Sequence, residues 1–81
     1  DFRPQAGFKV VDNRYDTDET LFVVLGRVRV WCEGMPTAQE IAAGGSFYVP
    51  ANTPYTFAAL EASHCLCVFS SAPGGPLPDS E

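Results

Sequence analysis

"YDTDETLFVVLG", residues 15 to 26, sets Glu19 at the head of an apolar run that Gly26 closes after six intervening residues. The run "LFVVL" is the right length for a strand covered on both faces and too short for a helix of its own. Past Gly26, "RVRVWC" (27 to 32) alternates strictly, which predicts a second strand with Val28 and Val30 toward the core and Arg27 and Arg29 toward water. Two strands broken by one glycine set the pattern for the whole chain.

Working outward, "FKVV" (8 to 11), "TLFVVLG" (20 to 26), "QEIA" (39 to 42), "SFYVP" (46 to 50), "YTFAAL" (55 to 60) and "HCLCVFS" (64 to 70) are short and rich in β-branched or aromatic residues. Turn formers punctuate them: "EGMP" (33 to 36) and "AGG" (43 to 45) supply the Gly and Pro of tight connections. No window repeats apolar residues at helical spacing. The prediction is an all-β jelly roll of seven strands over residues 1 to 70, followed by a flexible Gly- and Pro-rich tail over 71 to 81, "SAPGGPLPDSE".

Length and charge bound the function. At 81 residues the chain is one domain near the size at which a single core barely suffices, and it opens on Asp1 rather than Met, which leaves room for a missing initial strand. A homodimer is expected, because a short barrel with open sheet edges gains from pairing. Ten acidic residues against five basic ones give a net charge of −5, which disfavours nucleic acid. The longest apolar runs are five residues, so no membrane partner is expected. Cys65 and Cys67 would lie on one side of a strand about 6.5 Å apart, at the strained end of disulfide geometry. Free thiols in a cytoplasmic protein are the simpler expectation.

The spacing of Glu19 and Gly26 resembles the second half of the first motif of the cupins, small jelly-roll barrels whose motif opens with a His-x-His pair. The imidazoles are missing. Depending on the gap, their places fall on Asn13 and Tyr15 or on Asp12 and Arg14. Gly44, "GSFYV", Pro50, Ala51, Asn52, "TP" and Tyr55 fit the frame of the second cupin motif, with Tyr55 where the family has its remaining metal-binding His. Asn52 stands for a glycine, which Asn can do because it tolerates left-handed backbone angles. The resemblance covers roughly residues 12 to 70 and looks closest to small quercetinase-like cupins. It implies a jelly roll with a pocket at its mouth. Cupin metals are held mainly by imidazoles, so with three of four ligand positions changed the expectation is no metal and no cofactor. His64, Cys65 and Cys67 offer a substitute set on paper, but in an extended strand His64 points opposite to the two thiols.

If the barrel forms, Asn13 or Asp12, Tyr15 or Arg14, Glu19 and Tyr55 face its mouth. A carboxylate among "LFVVL" and Phe side chains loses hydration, which suits Glu19 to proton transfer. Against this stands a structural reading, in which Glu19 closes a polar gap by bonding Tyr55 or Arg14. Tyr15 and Tyr55 can each donate to a carbonyl or enolate oxygen, and packing would explain them equally. Arg14 offers a fork for a carboxylate, or a surface partner for its acidic neighbours. Trp31, Tyr48 and Phe57 are candidates to stack on a flat ligand, with core filling as the default. His64 is a further polar contact.

The function expected is a metal-independent reaction on a small organic metabolite of secondary metabolism: cyclisation, isomerisation or dehydration of a polyketide- or flavonoid-like compound. Glu19 and Tyr55 would be the catalytic pair. The alternatives are a non-catalytic binding or oligomerisation domain, and a quercetinase-like metal-dependent dioxygenase.

Overall fold

In the computed structural model, which describes residues 1–71, the chain forms seven strands: β1 (Lys9–Asn13), β2 (Glu19–Leu25), β3 (Arg27–Cys32), β4 (Gln39–Ala42), β5 (Ser46–Val49), β6 (Tyr55–Ala59) and β7 (His64–Phe69). They build two antiparallel sheets, one ordered β1-β6-β3-β4 and the other β5-β2-β7. The expected all-β jelly roll is what forms, with the core between the sheets. Val28, Val30 and Cys32 of β3 face Leu21 and Val23 of β2 across that core, joined by Phe47, Val49, Phe57 and Cys65. All three cysteines are free thiols. Arg27 and Arg29 lie on the outer face, where Arg29 reaches Glu40 at 2.9 Å.

Gly26 carries the chain from one sheet to the other. Its φ is +92°, and a Cβ there would stand 2.2 Å from Ser63 Oγ and 2.7 Å from the Ala62 carbonyl oxygen. Only glycine meets both demands. Asn52 takes a φ of 61°, the left-handed conformation that its place in the β5–β6 turn requires.

The loop between β1 and β2 is stapled to the end of β7. Thr17 Oγ1 lies 2.7 Å from Ser70 Oγ and accepts from the Ser71 amide at 3.1 Å. On its other side, Asp18 Oδ1 accepts from the Ala51 amide at 2.8 Å, and the Asn52 amide donates to the Tyr15 carbonyl at 2.7 Å. Those bonds fix the rim of the barrel mouth. Ser71, assigned to the tail by sequence, is thus held in the barrel, and residues 72 to 81 lie outside the described residues. Near the other end of the chain, Phe2 exchanges two backbone hydrogen bonds with Cys65 on the edge of β7.

The run "LFVVL" is apolar on both faces for a visible reason. Leu21 and Val23 fill the core, while Phe22 and Val24 point outward, beside Leu66 and Val68 of β7 and Tyr48 of β5. The outer face of the three-stranded sheet is therefore exposed and apolar.

Candidate functional site

A cavity of about 460 Å³ lies between the sheets, lined by residues of β1, β2, β6 and β7 and of the segments before β1 and β2. Glu19, Asn13, Tyr15, Tyr55 and Cys67 give it a polar end, and Phe2, Phe8, Phe57 and Phe69 give it aromatic walls. Phe2, Phe8 and Phe57 pack as a trio with ring centroids 5.5, 5.6 and 6.3 Å apart. Tyr15 meets Phe69 edge to face at 5.1 Å.

A bulge in β1 decides which side chains enter. Lys9 and Val10 pair in regular register with Ala58 and Phe57, but the residue opposite Tyr55 is Asn13, not Asp12. One extra residue is inserted, and Asp12 absorbs it with a φ of 54°. Its amide turns to Thr56 Oγ1 at 3.3 Å. Of the two alternatives left open by the motif spacing, the structure thus selects Asn13 and Tyr15.

Glu19 is the first residue of β2 and only 3% exposed. It sits opposite Val49 on β5 and Phe69 on β7, so its side chain is inward with Leu21 and Val23. Its Oε1 is buried and has no hydrogen-bond partner among the described residues. Buried acceptors are nearly always satisfied, and an ionised one left alone is costly, so this atom marks a place where something else is meant to donate. Tyr55 stands beside it, 7% exposed, its hydroxyl oxygen accepting from Asn13 Nδ2 at 3.1 Å. Burial first and the Glu19 charge second push the Tyr55 phenol well above its ordinary range, so it keeps its proton as a donor. The Cys67 thiol is pushed up to about 12 by the same two causes. A neutral thiol, a neutral phenol, a primary amide and a carboxylate with one open oxygen make a proton-handling set.

The other sequence candidates lie elsewhere. Arg14 is not among the cavity-lining residues, whereas Asn13 and Tyr15 on either side of it are. Tyr48 is 54% exposed on the outer sheet face, because Phe47 and Val49 take the inward positions of β5. Its hydroxyl faces Asp18, which raises its pKa. Trp31 falls between the inward Val30 and Cys32, so its indole lies on the outside of β3 and donates to the Met35 carbonyl at 2.9 Å. His64 bonds the Asp1 carboxylate outside the polar end of the cavity. Phe2, Phe8 and Phe69 are cavity residues that the sequence reading did not single out, and Cys67 is one that it weighed only as a disulfide partner or metal ligand. For Cys67 a signal was present: parity with the buried Cys65 on one strand puts it inward.

The residues present do not fit the metal that a cupin resemblance implies. Among the described residues, no three His, Cys, Asp or Glu side chains gather into a group able to hold one. The cavity offers the Glu19 carboxylate, Asp1 at its rim and one strongly protonated thiol, whereas transition metals favour imidazole or thiolate.

A family model described as the EutQ-like cupin domain matches residues 10–64. No curated protein matches the chain. Among solved structures, a protein of unknown function from Acidithiobacillus ferrooxidans superposes with a TM-score of 0.69 at 27% identity, over 78% of this chain and 58% of its own. A conserved protein of unknown function from Streptococcus pyogenes gives 0.75 at 19% identity, over 84% and 58%. A mutant of Bacillus subtilis oxalate decarboxylase gives 0.76 at 25% identity, over 86% of this chain and 20% of that one. The chain therefore spans little more than half the length of the first two and a fifth of the third.

Proposed function

This chain belongs to the EutQ-like cupin domain family, and on that footing we propose that its barrel mouth binds a small organic molecule and moves a proton on it, without a metal. One observation carries the reading: the buried Glu19 oxygen that lacks a partner and opens on a cavity beside Tyr55. A ground-state protein that leaves such an atom unsatisfied gains by meeting a ligand there.

The chemistry follows from the donor set. Glu19 takes a proton from carbon next to a carbonyl, and the electron pair moves onto the carbonyl oxygen. The Tyr55 hydroxyl, already fixed by Asn13, donates a hydrogen bond to that oxygen as its charge grows. Protonated Glu19 then returns the proton to a different carbon, giving isomerisation, or to a leaving hydroxyl, giving dehydration with loss of water. Aromatic walls suit a flat polyketide- or flavonoid-like ring system. The name of the oxalate decarboxylase neighbour points to a dicarboxylate substrate for that enzyme; this cavity has no cationic side chain in its lining to meet one.

Deuterium uptake into 2-tetralone, an enolisable two-ring ketone, tests the proposal. The native protein is expected to accelerate exchange at the α-carbons over buffer, and Glu19→Gln to lower that acceleration about a hundredfold or more. Native protein that binds 2-tetralone in the cavity without any exchange would leave a binding domain and remove the catalyst.

A further inference from the structure

Resting on the ligand-binding reading above, we propose that the cavity selects by charge: it takes aromatic molecules that are uncharged or cationic and present an N–H or O–H to Glu19, and it rejects carboxylates. The polar end is built from acceptors and neutral donors. No Lys, Arg or His side chain, Arg14 included, is among the lining residues. Asp1 at the rim has its charge offset by Arg3 at 3.5 Å and is hydrogen-bonded to His64. Among the described residues Glu19 has no such salt bridge, and its Oε1 has no donor. Asn13 has already committed one N–H to Tyr55.

Two forces then point the same way. An N–H or O–H on the ligand satisfies Oε1, which a ligand carrying only acceptors leaves orphaned; that difference is worth about tenfold in affinity. A carboxylate brought to within about 4 Å of an ionised Glu19 meets like charge in a water-poor site, a loss of about a hundredfold or more. The walls reinforce the choice. The rings of Phe2, Phe8 and Phe57 stand clustered with centroids within 6.3 Å of one another, an apolar wall that offers a carboxylate no donor to replace the water it loses.

Four size-matched two-ring probes separate the terms: 2-naphthol, 2-naphthylmethylamine, 2-naphthoate and 2-methoxynaphthalene, each titrated into isotope-labelled protein at pH 7 and followed by amide NMR. The naphthol and the ammonium are expected to bind at least tenfold tighter than the methyl ether, and the naphthoate at least tenfold more weakly than the ether. In Glu19→Gln the naphthoate should gain at least tenfold and the ammonium lose at least tenfold. The ether, which reads only the apolar walls, should keep its Kd and so report that the variant is folded. Naphthoate binding the native protein as tightly as naphthol would overturn charge selection while leaving the ligand site standing. If none of the four shifts cavity resonances, the ligand-binding reading itself falls, and the selectivity with it.

Discussion

Replacing Glu19 by Gln should make this domain more stable while disabling it. Glu19 is 3% exposed and, although Tyr55 and Cys67 bond its carboxylate, its Oε1 makes no hydrogen bond among the described residues, so the fold carries a desolvated acceptor that is only partly satisfied. Leaving such a group unsatisfied costs about 1–3 kcal/mol, and more when it is ionised. Gln keeps the shape and removes the charge, so the expected gain at pH 7 is about 1–3 kcal/mol. For a domain of 81 residues, each kcal/mol moves the midpoint by about 4–8 °C, so the variant should melt at least about 4 °C above native. Urea denaturation with an unchanged slope and a higher midpoint would give the same answer independently. A variant that melts lower than native would refute the reasoning, because it would mean that the carboxylate holds the barrel together through bonds that Gln cannot make. Stability traded for a waiting site is the usual signature of function.

Five further outcomes are expected. Gly26→Ala should destabilise by about 2–5 kcal/mol, from a positive φ and a Cβ 2.2 Å from Ser63 Oγ, and a urea midpoint within error of native would contradict the packing at the sheet crossover. Cys67, its thiol pushed up to about 12, should resist iodoacetamide at pH 8 in the native protein and react once the protein is unfolded. Because the fold favours the neutral thiol and the neutral Tyr55 phenol, that part of stability is intact below about pH 9 and fades as pH climbs toward 12; a urea midpoint that rises over that range would contradict the assignment. Elemental analysis of the purified protein should find no stoichiometric copper, iron or nickel, and finding one would revive a dioxygenase reading. Light scattering should give a homodimer at micromolar concentration that Phe22→Lys dissociates, because Phe22 lies on the exposed apolar face of the three-stranded sheet; a native monomer would contradict this.

Much of the architecture was legible because strands announce themselves locally. Gly26, Gly44 and Asn52 marked turns whose positive φ angles demanded those residues, and the alternation in "RVRVWC" placed Val28 and Val30 inward without any knowledge of their neighbours. The same alternation puts Trp31 outside, which its aromatic character had obscured. At "SFYV" two parities competed, and the all-apolar pair Phe47 and Val49 won the core over Tyr48. The site was harder to read. Whether Asn13 or Asp12 faces Tyr55 turns on one inserted residue in β1, and a bulge is fixed by pairing with β6, more than forty residues away in the chain. Phe2 pairs with Cys65 on β7 and the Phe8 carbonyl accepts from the Ala59 amide at the end of β6, long-range pairings with no local signature that bring both rings to the cavity. The orphaned oxygen of Glu19 is a property of three-dimensional surroundings that no spacing encodes.

The most direct measurement is a crystal structure of the protein with 2-naphthol. The account predicts the naphthol oxygen within about 2.7–3.0 Å of Glu19 Oε1, with the rings against Phe57 and Tyr15. A Glu19 Oε1 already bonded to a protein donor, with the naphthol absent from the cavity or seated on the outer sheet face, would contradict it.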